Sequence, residues 1–149
     1  YEIAQCLVGS EMCIRDSLSS GYRDYTLQTQ LYNRKIGQGY SPEDAAKIVA
    51  KPGTSEHQTG LACDITDVYR DPKTIEECES TATYQWMSQH CQEYGFIVRF
   101  PDGKSDITGI MYEPWHFRYV GVEAATYIME NGLCFEEFLD LYQQTPAEG

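Results

Sequence analysis

Ser55-Glu56-His57-Gln58-Thr59-Gly60-Leu61-Ala62-Cys63-Asp64 is the stretch on which the reading of this chain turns. Polar and turn-forming residues lead through Gly60 into an apolar run from Leu61 to Thr66, read as a buried strand. His57 then lies in a loop just before that strand, and Asp64 lies inside it. The gap between them lets the chain fold back, so that both side chains can face one ion. Gly60 would permit the tight turn or close approach that this requires. Cys63 alternates onto the opposite strand face from Asp64 and is not read as a ligand.

A second chemistry-bearing stretch is Glu113-Pro114-Trp115-His116-Phe117-Arg118-Tyr119. It places a carboxylate and an imidazole three residues apart, beside a large aromatic ring. The chain has only three histidines, and the third, His90, falls within an expected helix and reads as a surface residue. Two imidazoles and one carboxylate form a known catalytic zinc set, leaving a fourth tetrahedral position for water. Zinc lowers the pKa of that water from about 15.7 towards 7. A second carboxylate that does not bind the metal must then take the water's proton, and Glu113 is the candidate. Spacing alone leaves blander readings open. A strand aspartate is more often a turn or cap residue, and strand positions three apart face opposite sides. Glu113 and His116 can converge only where the backbone is irregular, which Pro114 would allow.

The 149 residues suit one domain, large enough to bury roughly two thirds of its unfolded surface. Net charge is −12, so a nucleic-acid partner is not expected. No apolar run approaches the roughly 20 residues that span a bilayer, and no leader pattern is present, so any signal or membrane anchor is expected to lie outside this stretch. A monomer is expected. The six cysteines, Cys6, Cys13, Cys63, Cys78, Cys91 and Cys134, include no C-x-x-C pair, which argues against a thiolate zinc finger. Their state, buried thiols or one or two bridges, is open at this point.

Residues 1–17 are set apart as a segment of uncertain origin. The run Cys6 to Ser17 (CLVGSEMCIRDS) has no clean period and resembles the translation of a sequencing adapter. The domain is expected over 18–149. Leu18 to Arg23 reads as a short strand and turn. Asp24 would cap a helix from Tyr25 to about Ile36, buried along Leu27, Leu31 and Ile36 and stopped by Gly37. Ser41-Pro42-Glu43-Asp44 starts a helix running to about Ala50. After the strand from Leu61 comes a loop through Asp71-Pro72. A helix from about Thr81 to Tyr94 follows, closed by Gly95. Strands are expected over Phe96–Phe100 and within Ile110–Tyr119, then helices over Val122–Asn131 and about Phe135–Tyr142. The order lacks regular βαβ alternation, so the fold class is α+β.

Three motifs in order carry a family resemblance: Ser20-Gly21-Tyr22-Arg23-Asp24-Tyr25-x-x-Gln28, continued by Leu31-Tyr32-Asn33, then Ser55 to Asp64, then Glu113 to Tyr119. The chain from about Leu18 to Tyr142 resembles the VanY-type D-alanyl-D-alanine carboxypeptidases, relatives in fold of lysostaphin-like peptidases and the hedgehog signalling domain. The resemblance implies a small antiparallel sheet flanked by helices and one Zn2+ ion held by His57, Asp64 and His116. It implies Glu113 as base and Arg23 as the group that stabilises substrate charge or the oxyanion. Gln28 and Ser55 would line the substrate cleft, with Trp115 packing beside the site. The implied substrate is the peptidoglycan stem peptide, and the implied location is outside the cytoplasmic membrane. An L,D-carboxypeptidase acting on tetrapeptide stems fits the same metal chemistry. A silent zinc-binding module is disfavoured because both Glu113 and Arg23 are present.

Overall fold

The computed structural model describes residues 18–67 and 72–144. The set-apart segment 1–17, with Cys6 and Cys13, and most of the expected loop before Pro72 lie outside the described residues. Four short strands form one sheet: β1 (Leu18–Ser20), β2 (Ala62–Ile65), β3 (Phe96–Val98) and β4 (His116–Tyr119). Their spatial order is β1-β2-β4-β3, every neighbouring pair antiparallel. Among the described residues, seven helices surround it: α1 (Tyr25–Gly37), α2 (Pro42–Ile48), α3 (Ile75–Glu79), α4 (Ala82–His90), α5 (Ser105–Thr108), α6 (Val122–Glu130) and α7 (Phe135–Gln144). The α+β expectation holds. No described helix is long and apolar enough to cross a membrane.

Strand alternation gives the sheet two different faces. Cys63, Ile65, Phe96, Val98 and Phe117 point to one side and pack with Met87 of α4 and with Cys91. Asp64, His116 and Arg118 alternate to the other side. Ile97 shares that second side at the β3 end, where it packs against Ala125 and Ile128 of α6. The described cysteines Cys63, Cys78, Cys91 and Cys134 are buried free thiols. Burial pushes the Cys63 and Cys91 thiols up to about 12, so both stay protonated packing residues.

The caps form as expected. Asp24 accepts from the Leu27 N–H at 2.7 Å and Ser41 from the Asp44 N–H at 3.1 Å. The expected leucine stripe of α1 does not. Leu27 is 42% exposed, and the fully buried residue of the helix is Gln28, whose Nε2 donates to the Ala50 carbonyl at 2.8 Å. This clamp ties α1 to the chain leaving α2 and makes Gln28 its buried position, with Leu31 and Ile36 half-buried.

The expected helix over Thr81–Tyr94 tightens after His90 into a 3-10 turn, Cys91–Tyr94, and short helices α3 and α5 appear where none was expected. The expected strand over Ile110–Tyr119 begins only at His116. Pro114 has no N–H for a ladder, and the Glu113 N–H donates instead to the Phe100 carbonyl at 3.1 Å. The His116 N–H closes a turn onto the Glu113 carbonyl at 3.2 Å.

Gly95 is where backbone freedom decides the fold. It sits at φ +80°, and an added Cβ would lie 2.8 Å from Tyr119 Cε2 and 3.1 Å from the Gly121 carbonyl carbon. Gly95→Ala is therefore expected to cost about 1–3 kcal/mol of stability, read as a lower urea midpoint at unchanged m-value.

Candidate active site

The β2–β4 register sets Asp64 directly opposite His116. His57 arrives from a 3-10 turn, Glu56–Thr59, that Gly60 closes at φ +75°. No neighbour crowds the Gly60 Cβ position, so this glycine serves the left-handed turn rather than a close approach. The three side chains meet. Asp64 Oδ1 lies 3.2 Å from His57 Nε2 and 3.0 Å from His116 Nδ1, and the ligand atoms of the three residues all lie within 4.8 Å of one another.

The protonation pattern tests whether a metal fits. His57 Nδ1 is 2.7 Å from the Gly21 carbonyl oxygen, which can only accept, so Nδ1 carries the proton. His57 Nε2 then turns a lone pair towards an Asp64 oxygen that also only accepts. Two facing acceptors at this distance need a positive charge between them, a proton or a metal ion. His116 sits between two carboxylates, with Nδ1 on Asp64 and Nε2 3.5 Å from Glu56 Oε2. Burial opposes its charge, yet the Asp64 hydrogen bond and the nearby Glu56 carboxylate push His116 up to about 9. Against its own burial, Asp64 is held well below the usual carboxylate range by His116 and His57. The donor set therefore stabilises positive charge at one buried point, as a divalent cation requires.

Glu113 stands beside this point, Oε2 4.0 Å from His116 Nδ1. Desolvation pushes its carboxyl up to about 7, with His116 and Arg23 pulling it back and Asp64 adding to the rise. The turn at Pro114 brings Glu113 and His116 together, as the irregular-backbone reading required. Arg23 ion-pairs through Nη2 with Asp64 Oδ2, and its Nε donates to Ser20 Oγ at 2.8 Å. All eight expected site residues line one open cleft of about 720 Å³: the three ligand candidates, Glu113, Arg23, Gln28, Ser55 and Trp115. Gln28 Oε1 is buried with no partner. His90 lies apart from the cleft, paired with Glu93 at 2.7 Å and stacked on Trp86.

Two residues beside the site escaped the sequence reading. Glu56 was quoted next to His57 and given no role, but its carboxylate braces His116. Arg99, 7% exposed, holds Glu56 through Nε at 2.8 Å and clasps Glu136 of α7 with both terminal nitrogens, at 3.0 and 2.6 Å. Burial opposes ionisation of Glu56, but His116 and Arg99 hold it at about 2. The only local signal was the acid adjoining a histidine, and nothing in the spacing linked it to partners so distant in sequence.

A sheet that sets Asp64 opposite His116, with His57 brought in from the adjoining 3-10 turn and a second carboxylate alongside, gives a cleft floor suited to one metal ion. The chain belongs to the VanY D-alanyl-D-alanine carboxypeptidase family, whose model matches residues 10–122. A D-alanyl-D-alanine carboxypeptidase of Enterococcus faecalis is 41% identical over 133 residues, 83% of this chain and 47% of that protein. The chain thus spans about half the length of that relative. Among solved structures, the LdcB LD-carboxypeptidase is 43% identical with a TM-score of 0.72, covering 81% of this chain and 56% of that one. A variant of the vancomycin-resistance D,D-pentapeptidase VanY from a VanB-type cassette, solved with Zn(II), is 36% identical with a TM-score of 0.68, covering 93% and 78%.

The His116 environment has a measurable consequence. A histidine whose folded pKa of about 9 exceeds its ordinary 6.5 stabilises the fold fully below 6.5 and loses that contribution as pH climbs to 9. Glu113, raised from 4.5 to about 7, acts with the same sign over a lower window. Chelator-treated protein is therefore expected to lose thermal stability steadily from about pH 4.5 to 9. Glu56→Gln should flatten the upper part of that curve, as followed by melting temperature across the pH series.

Proposed function

We propose that the domain from Leu18 onward is a zinc-dependent D-alanyl-D-alanine carboxypeptidase that removes the C-terminal D-alanine from peptidoglycan stem peptides. The observation that carries this reading is the convergence of His57, Asp64 and His116 on one buried point with Glu113 alongside. His57 Nε2, Asp64 Oδ1 and His116 Nδ1 are the atoms that would hold zinc. When bound, zinc acidifies water and polarises a carbonyl at neutral pH. Three protein donors leave the position that a catalytic site keeps open.

The chain's own groups supply the rest. Glu113 accepts a proton from the attacking water as its oxygen forms a bond to the scissile carbonyl carbon. With a carboxyl near 7, Glu113 can both take that proton and return it at working pH. It hands the proton to the peptide nitrogen as the C–N bond breaks, and the amine of D-alanine leaves. Arg23 is anchored by Ser20 and Asp64 and presents its guanidinium edge to the cleft for the developing oxyanion or the substrate carboxylate. Gln28 and Ser55 offer polar contacts on the cleft floor, and Trp115 forms an apolar side. A protein acting on wall peptides works outside the cytoplasmic membrane, so export accompanies this reading, with the domain acting as a monomer.

The 43% identity to an LD-carboxypeptidase favours one competing reading, cleavage of tetrapeptide stems across an L,D bond. The metal chemistry is common to both, and the shape of the pocket around the penultimate residue separates them. D-Alanine release from matched pentapeptide and tetrapeptide stems distinguishes the two: the proposal expects the pentapeptide to be cleaved at least about tenfold more efficiently, and the reverse order would replace it.

Two substitutions test the residue roles. Glu113→Ala is expected to lower turnover by roughly two to four orders of magnitude at unchanged zinc content, and near-normal turnover would remove the base assignment. His116→Ala is expected to lose zinc by elemental analysis, and full occupancy in that protein would remove it from the ligand set.

A further inference from the structure

For a chain of net charge −12, the cleft is an electrostatic exception. Six of the eleven basic side chains line it: Arg23, Arg34, Lys35, Lys47, Lys51 and Arg99. The acids that line it, Glu56, Asp64 and Glu113, belong to the floor. There Arg23 is tied to Asp64, and Arg99 to Glu56 and Glu136. The other four cations form an outer wall built by the ends of α1 and α2. Lys47 pairs with Asp44 at 3.0 Å in an exposed contact, and Lys35 lies 5.6 Å over the Tyr40 ring. Arg34 and Lys51 face no acid in the cleft lining.

A plainer account places cations in the last turns of α1 and α2 because helix C-termini favour them. It does not explain why both ends converge on one cleft wall, nor why Lys51, beyond α2, joins them. Helix geometry gives the wall its distance from Gln28 on the cleft floor. Gln28, Leu31 and Lys35 follow the i, i+3, i+7 spacing along one face of α1, and all three line the cleft. At about 1.5 Å rise per residue, Lys35 lies roughly 10 Å along the helix from Gln28 on the floor. That length matches about three residues of an extended peptide. A carboxypeptidase releases one residue, so a substrate reaching this far does so with the segment N-terminal to the cut bond.

We propose that Arg34, Lys35 and Lys51, with Lys47 beside them, form a subsite for a carboxylate carried by the substrate N-terminal to the cut bond, roughly three residues beyond the part that passes Gln28. The subsite makes the enzyme selective for peptides with a free upstream carboxylate over the same peptides with an amide there. This deepens the carboxypeptidase reading and rests on it. The wall also offsets the repulsion that a net charge of −12 exerts on an anionic peptide, so part of its effect is long-range and sensitive to salt.

The test uses two acyl peptides ending in D-Ala-D-Ala that differ only in carrying glutamate or glutamine at that upstream position. The zinc-loaded protein is expected to favour the glutamate peptide by about tenfold in kcat/KM, carried by KM, with the ratio narrowing as salt is raised. The triple variant Arg34→Gln/Lys35→Gln/Lys51→Gln should bring the ratio close to one by lowering the glutamate value alone. Equal efficiency on both peptides, or a variant that weakens both alike, would overturn the subsite. Binding of the same peptides to Glu113→Gln protein, followed by tryptophan fluorescence, separates the two layers of the reading. A preserved binding preference without cleavage by the parent protein would keep the subsite and remove the hydrolytic role. Equal cleavage of both peptides would do the opposite.

Discussion

The pairing of Asp64 with His116 across β2 and β4 is the constraint on which the rest of the molecule depends. Side-chain direction alternates along a strand, so a one-residue slip of either strand would turn its own group into the apolar layer and bring Cys63 or Phe117 out. That layer fixes the register. Cys63, Ile65 and Phe117 are buried against Met87 and Cys91, and their burial holds Asp64 and His116 on the opposite face. The apolar side of the sheet thus specifies the polar one. The two sides differ in their tolerance to change. A volume change among the buried residues costs stability, whereas an unpaired carboxylate on the other face would cost several kcal/mol by desolvation unless a cation balances it.

Order then spreads outward through ion pairs. Glu56 braces His116, Arg99 holds Glu56, and Glu136 brings α7 into contact with Arg99. Arg99 also lies over the rings of Phe100 and Phe135, 4.7 and 5.3 Å from their centroids, which keeps its guanidinium largely out of water. A helix near the C-terminal end of the chain is thereby coupled to the orientation of one imidazole. On the other flank, Arg23 ties Asp64 to the end of β1, and the Gly21 carbonyl fixes the tautomer of His57. Each candidate ligand is thus oriented by a partner outside its own element.

Much of this was legible in the sequence because the chemistry is concentrated in short, residue-specific motifs. His57, Asp64, Glu113 and His116 stood out as candidates from type and spacing, their roles came from the resemblance those motifs carry, and Arg23, Gln28 and Ser55 came from that resemblance alone. Less legible was whatever depends on contacts between distant segments. Gln28 occupies the buried position of α1 because Ala50 accepts its amide, an interaction that no helical period encodes. The strand expected from Ile110 was lost to the Glu113–Phe100 backbone bond. Glu56 and Arg99 were invisible as partners because folding alone brings them together. Local pattern singles out the candidate groups that the fold brings together, and misses the groups that orient them.

Two imidazoles and an aspartate meet at one point. X-ray absorption at the zinc edge of the reconstituted protein reads that arrangement directly. It should return a first shell of nitrogen and oxygen at about 2.0–2.2 Å, containing two imidazole rings. A sulfur scatterer near 2.3 Å, or fewer than two imidazoles, would contradict it.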